Sequence, residues 1–162
     1  MLYVPLFNYS GGDLELVREL HQHPSTRMGL SDAGAHCGAI CDGGMPTFML
    51  THWTRDRQRG DLLPVEFIVH RQTLQTAQLY GMHDRGLIAP GMKADINIIN
   101  YEALGFSKAE MAYDLPTGAR RLVQRGSGYI MTMVSGVPIV ENDEFTGALP
   151  GKLVRASWPT RK

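Results

Sequence analysis

Asp32 is the side chain in this sequence best placed to do chemistry. It follows the apolar run Met28-Gly29-Leu30 after a single serine, and it opens a loop rich in glycine and alanine. A carboxylate at the carboxyl end of a short buried strand can take a proton from a water molecule and return it to a leaving group. The same residue can equally cap the loop that follows the strand, and spacing alone leaves both readings open. His36, His52 and Arg55 are candidates for holding substrate. Arg55 and Arg57, beside Trp53, could grip a substrate carboxylate through a bidentate guanidinium. The alternative for this stretch is a solvated charge run on a helix with Trp53 packed beneath it.

Two further groups carry metal-ligating side chains in less promising settings. His21-Gln22-His23 has the spacing of a paired imidazole site, but it ends a helical pattern and precedes Pro24, so the rings have no reason to converge on Asp32. Exposed or helix-capping histidines are expected there, because a cation near a helix carboxyl end is favourable. Cys37 and Cys41, spaced C-x3-C, could join His36 on a metal. They are too few for a disulfide framework or a closed zinc site, so small, buried, reduced thiols are expected.

The elements that would position these groups change character along the chain. Ser10-Gly11-Gly12-Asp13 reads as a cap, and Leu14, Val17, Leu20 and His21 then recur at helical spacing until Pro24. Met28 to Leu30 reads as a short buried strand. Phe48 to Trp53 is apolar and aromatic, and Asp61 with Pro64 opens a second helix carrying Val65, Ile68 and Val69. Thr76 to Tyr80 gives a further turn or two, closed at Gly81. From Gly91 onward the pattern is β: Asp95 to Tyr101, Arg121 to Gln124, and a hairpin of Tyr129 to Val134 with Val137 to Val140 turning at Ser135-Gly136, in which Pro138 suits an edge. The expected fold class is α/β plus β, with a boundary near Pro90 separating residues 1–90 from 91–162.

Composition excludes several classes. The 162 residues carry 16 basic against 16 acidic side chains and are 43% hydrophobic, so no net field gathers polyanions and no nucleic-acid partner is expected. No window approaches the ~20 apolar residues of a bilayer crossing, and the opening residues lack the basic start of a signal peptide, so no membrane association and a cytoplasmic location are expected.

Four stretches in one order resemble a known family: Gly29-Leu30-Ser31-Asp32-Ala33-Gly34-Ala35-His36; His52-Trp53 with Arg55-Asp56-Arg57; Asp84-Arg85-Gly86 leading to Pro90-Gly91-Met92-Lys93-Ala94-Asp95; and Thr146-Gly147-Ala148 with Pro150-Gly151. From about Tyr9 to Arg155 the chain is similar to the carboxyl-terminal part of amidohydrolases of the N-acyl-D-amino-acid deacylase (D-aminoacylase) group. The resemblance implies a metal-dependent hydrolase on a (β/α)8, or TIM, barrel. Residues 1–90 would be its last strand or strands and closing helices, and 91–162 a small β-sandwich-type domain. It implies that Asp32 is the acid/base aspartate after the eighth strand, with zinc or another divalent metal in the complete enzyme and a small N-acylated substrate.

The same resemblance marks what this stretch lacks. The family's H-x-H follows the first barrel strand, its bridging ligand comes from an earlier segment, and a D-aminoacylase carries an arginine shortly after the catalytic aspartate, whereas Ala33 to Met49 contains none. The chain by itself is therefore expected to hold no complete metal site, with Asp32 at most one ligand, and to hydrolyse nothing. An incomplete barrel exposes strand edges, so a homo-oligomer or a missing amino-terminal part is expected. Two rival readings stand beside this one: a non-catalytic remnant serving as a binding or structural subunit, and an amidohydrolase of another branch acting on cyclic amides.

Overall fold

The computed structural model describes residues 9, 11–29, 31–33 and 38–155. Its α-helices precede Pro90 and its strands follow it, with one 3-10 turn (Pro116–Gly118) among them. Helix α1 (Glu15–Gln22) begins where the Asp13 carboxylate accepts the Glu15 N–H at 3.0 Å, and ends where His23 leaves helical geometry ahead of Pro24. Helix α2 (Met45–Thr51) starts with Pro46 in its first turn and runs into a π-helical turn over His52–Asp56. Helix α3 (Val65–Gln72) starts after Pro64, and α4 (Leu74–Leu79) follows after a break at Thr73. Gly81 then takes φ +66°, the left-handed conformation expected of it.

Four strands form one antiparallel sheet in the order β1 (Ile96–Ile99), β6 (Tyr129–Val134), β7 (Val137–Glu141) and β8 (Glu144–Phe145). Two small ladders flank it, β2 (Gly105–Phe106) with β5 (Gly126–Ser127) and β3 (Glu110–Ala112) with β4 (Arg121–Val123). The β6–β7 hairpin turns at Ser135 and Gly136, both at positive φ (53° and 79°), the pairing a tight two-residue hairpin requires. Asn142 and Asp143 make the next turn in the same way, at φ 50° and 67°.

Two expectations need correction. Residues 26–29 form no strand, and Leu30 lies outside the described residues. Met28 instead packs against the helical core as irregular chain, because every strand pairing among the described residues is antiparallel and lies after Pro90, leaving this run without a partner ladder. Pro138 lies on an inner strand, not an edge. It is tolerated because β8 pairs only with Val140 and Glu141, and because a bulge between Thr132 and Met133 relaxes the ladder opposite it.

The core sits among the helices. Trp53 (1% exposed) and Ile68 (0%) are its centre, joined by Met49 and Leu63, with Leu14, Val17, Phe48, Leu50 and Phe67 packed around them. Helices and strands are stitched together at three places: the Thr47 and Tyr129 hydroxyls at 2.6 Å, the Thr54 and Tyr101 hydroxyls, and Arg55 on the loop before β2.

Gly128 shows how tightly one crossing is built. Its φ is +87°, and a Cβ there would come within 2.8 Å of the Leu104 backbone. Gly128→Ala is therefore expected to cost at least about 1–3 kcal/mol from backbone strain, with the clash added. Chemical denaturation would read this as a lower midpoint, and an unchanged midpoint would contradict it.

Candidate functional site

Asp32 lies exposed on irregular chain. The Asp42 N–H donates to its backbone carbonyl at 2.8 Å, which ties the start of the glycine-rich loop to its end. Ala33, Cys41 and Gly43 border an open hollow of about 330 Å³, whose wall also includes Arg121 of β4 and Gln124 just after it. A second hollow of about 250 Å³ adjoins it through Gly43 and Gln124 and extends past Phe106 and Tyr129. Ala33, the residue after Asp32, thus lines a concave surface that also includes residues of the small ladders, while Asp32 itself is not among the lining residues. In that surface Arg121 is held by a two-point pair with Asp114, at 2.7 and 2.6 Å, and hydrogen bonding from Arg121 keeps the Asp114 carboxyl below the ordinary aspartate range. His36 and Cys37 lie outside the described residues.

His52 and Arg55 are built into the framework. His52, at the start of the π-turn, stacks on Phe48 with ring centroids 4.6 Å apart and meets Trp53 edge-on at 5.0 Å. Its Nε2 is buried without a hydrogen-bond partner. Burial, and then the nearby Arg57 charge, push its pKa below the usual histidine value, with Asp56 opposing. Arg55 donates through Nε and Nη2 to the two oxygens of Asp56, at 2.6 and 2.9 Å. Its remaining N–H groups cap the carbonyls of Tyr101, Glu102 and Leu104. The π-turn is what aims this fork across at the loop before β2. One guanidinium thus bridges three backbone carbonyls at the crossing.

The solvated-charge-run reading is corrected by the same geometry. Trp53 is indeed packed beneath, but Arg57 is buried with it. Its guanidinium lies 4.9 Å from the Trp53 ring centroid and donates to the Arg59 and Asp61 carbonyls at 2.6 and 3.0 Å and to the Glu15 carboxylate at 2.6 Å. Arg57→Ala is expected to cost about 2–4 kcal/mol, from lost hydrogen bonds and the cation–π contact. Thermal unfolding would show it as a clearly lower Tm, and a shift within error would count against this clamp.

His21, expected to be exposed or capping, is half-buried and meets Trp53 edge-on at 5.1 Å. It shares a helix face with Leu14 and Val17, so the core claims it before solvent does. His23 is exposed, and its Nδ1 accepts the Ser25 N–H at 3.2 Å.

The remaining motif residues hold turns. Asp95 accepts the Ser135 N–H and pairs with Arg85, both at 2.8 Å, while Arg85 also grips Asp84. Lys93 donates its N–H to the Asp84 carbonyl at 2.7 Å, and Gly91 takes φ +86°. Thr146 donates its hydroxyl to the Pro138 carbonyl at 2.9 Å. Such residues specify a fold through its turns.

A family model described as the amidohydrolase family matches residues 6–140, most of the chain. The chain belongs to the amidohydrolase family. Its curated relatives include uncharacterized proteins of Mycobacterium bovis and of two strains of Mycobacterium tuberculosis, each 30% identical over 137 aligned residues and covering 81% of this chain. The chain spans 22% of the length of those relatives. No solved structure matches it. Among the described residues no three His, Cys, Asp or Glu side chains gather into a set that could hold a metal ion, so they do not fit an amidohydrolase metal centre. No described helix is long and apolar enough to cross a membrane.

Proposed function

We propose that this chain is the carboxyl-terminal portion of a metal-dependent amidohydrolase that cleaves a non-peptide C–N bond in a small N-acylated substrate, with D-aminoacylase-like ancestry. In this reading residues 1–90 close a (β/α)8 barrel and 91–162 form its small β domain. The carrying observation is the family match, combined with an exposed aspartate whose chain neighbour Ala33 lines a hollow.

Asp32 would act on the proton alone: it accepts one from the attacking water and delivers it to the departing nitrogen as the C–N bond breaks. A carboxylate in that role needs access to water and freedom from a permanent cation partner. Its exposure, and the engagement of Arg55, Arg57 and Arg121 elsewhere, are compatible with both needs. Zinc or another divalent ion would be held by ligands beyond the described residues. Arg55 is better read as a framework residue than as a grip on substrate, since its donors already meet protein acceptors.

The test is to purify this chain and a longer protein containing it, and to measure bound metal and turnover of a panel of N-acyl amino acids and cyclic amides. The longer protein is expected to hydrolyse acyclic N-acyl substrates with metal bound, and this chain alone to hold less than one equivalent and turn over nothing. Metal-loaded, active isolated chain would overturn the division of labour. Activity confined to cyclic amides would move the assignment to another branch.

A further inference from the structure

The residues around Trp53 form a cluster that the proposed chemistry does not use. Trp53 is met edge-on by two imidazoles, His21 from α1 at 5.1 Å and His52 from the π-turn at 5.0 Å, with the Arg57 guanidinium 4.9 Å from its ring centroid. The attachment of α1 to this cluster is slight. None of its eight residues is buried. Leu14 and Val17 touch the core, Glu15 pairs with Arg57, Arg18 reaches Asp61 at 3.7 Å, and His21 leans on the tryptophan. A short helix held by so few buried groups is the kind of unit that opens without global unfolding.

We propose that α1 is an acid-released latch, undocking from the Trp53 core when the imidazoles of His21 and His52 become charged. A proton on either ring places a cation in a half-buried pocket that already contains one. The charged groups acting on His21 include Arg71 of α3, a buried arginine that donates to the Thr26 carbonyl at 2.7 Å and its hydroxyl at 2.9 Å; those acting on His52 are Arg57, which opposes the charge, and Asp56, which favours it. The His52 Nε2 is buried with nothing to accept from it, so a proton added there would stay unsatisfied while the cluster is closed. One influence runs the other way: His21 lies in the last turn of α1, where the helix favours a cation. Burial outweighs it, and both histidines are held below the ordinary value of 6.5.

The sign follows from linkage. A histidine whose folded pKa is depressed binds more protons when the cluster is open, so docking is fully favoured above about pH 6.5 and weakens as pH falls through that value toward the folded pKa. The Glu15–Arg57 pair is lost only at lower pH, because hydrogen bonding from Arg57 keeps Glu15 below its usual 4.5. The histidine window therefore opens near pH 6.5, ahead of the Glu15 window, which opens only below 4.5.

Amide exchange of this chain, expressed as protection factors at pH 7.5 and 5.5, together with NMR titration of the imidazole protons, tests the latch. The expected result is a several-fold loss of protection over residues 15–22 at pH 5.5, with α3 protected at both values and both imidazoles titrating below 6.5. His21→Phe and His52→Phe, which keep an aromatic ring against Trp53, should each shrink the loss. The proposal is overturned if α1 protection is the same at both pH values, or if His21 and His52 titrate at or above 6.5. The wild-type titration needs no variant, so a misfolded substitution does not spare the idea.

Discussion

Trp53→Ala should unfold the helical half of this chain or leave it barely stable, with a loss of about 3–5 kcal/mol. The indole is the largest fully buried side chain, and it contacts three separately anchored groups: His21 of α1, His52 of the π-turn and Arg57. Truncation removes buried apolar area and also leaves the Arg57 guanidinium beside a cavity. The described core holds few other fully buried hydrophobic residues, so little remains to absorb the damage. Trp53→Phe, which refills part of the space, should cost markedly less. Urea unfolding of the three proteins would rank them, and equal stability of Trp53→Ala and wild type would mean that the core lies elsewhere.

Asp32→Asn carries the second large effect, and it concerns rate where Trp53 concerns stability. In the proposed full-length enzyme it should lower kcat by about 10²–10⁴-fold, the range that a positioned acid/base contributes, with bound metal and Tm nearly unchanged. The amide matches the carboxylate in shape but cannot take the water's proton. Because Asp32 is exposed, the fold should not register the exchange. A fall in Tm that accounts for the lost activity would instead support the loop-capping role.

What the sequence disclosed depended on the kind of signal each segment carried. The β6–β7 hairpin was legible because alternating apolar residues flank a serine–glycine turn, and α1 and α3 were legible from apolar periodicity and their prolines. Met28 to Leu30 was not, since a short apolar run looks the same whether it pairs in a sheet or merely covers a core, as Met28 does. The π-turn at His52–Asp56 leaves no periodic trace, and so Arg55 read as a candidate grip on substrate, or else a solvated charge, instead of the clamp on the loop before β2 that the turn makes it. His21 was misread although its signal was present: with Leu14 and Val17 it completes one helix face. The two-residue ladders were too short to announce themselves, and the motifs that named the family turn out largely to hold turns, through Asp95, Arg85 and Thr146. That is why they identify ancestry well and chemistry poorly.

The account is tested most directly by a structure of the full-length protein bound to a tetrahedral mimic of amide hydrolysis. It predicts an Asp32 carboxylate oxygen about 2.6–3.2 Å from the oxygen that stands for the attacking water, on the same side as the departing nitrogen. An Asp32 side chain pointing to bulk solvent, with another acidic group at the mimic, would contradict it.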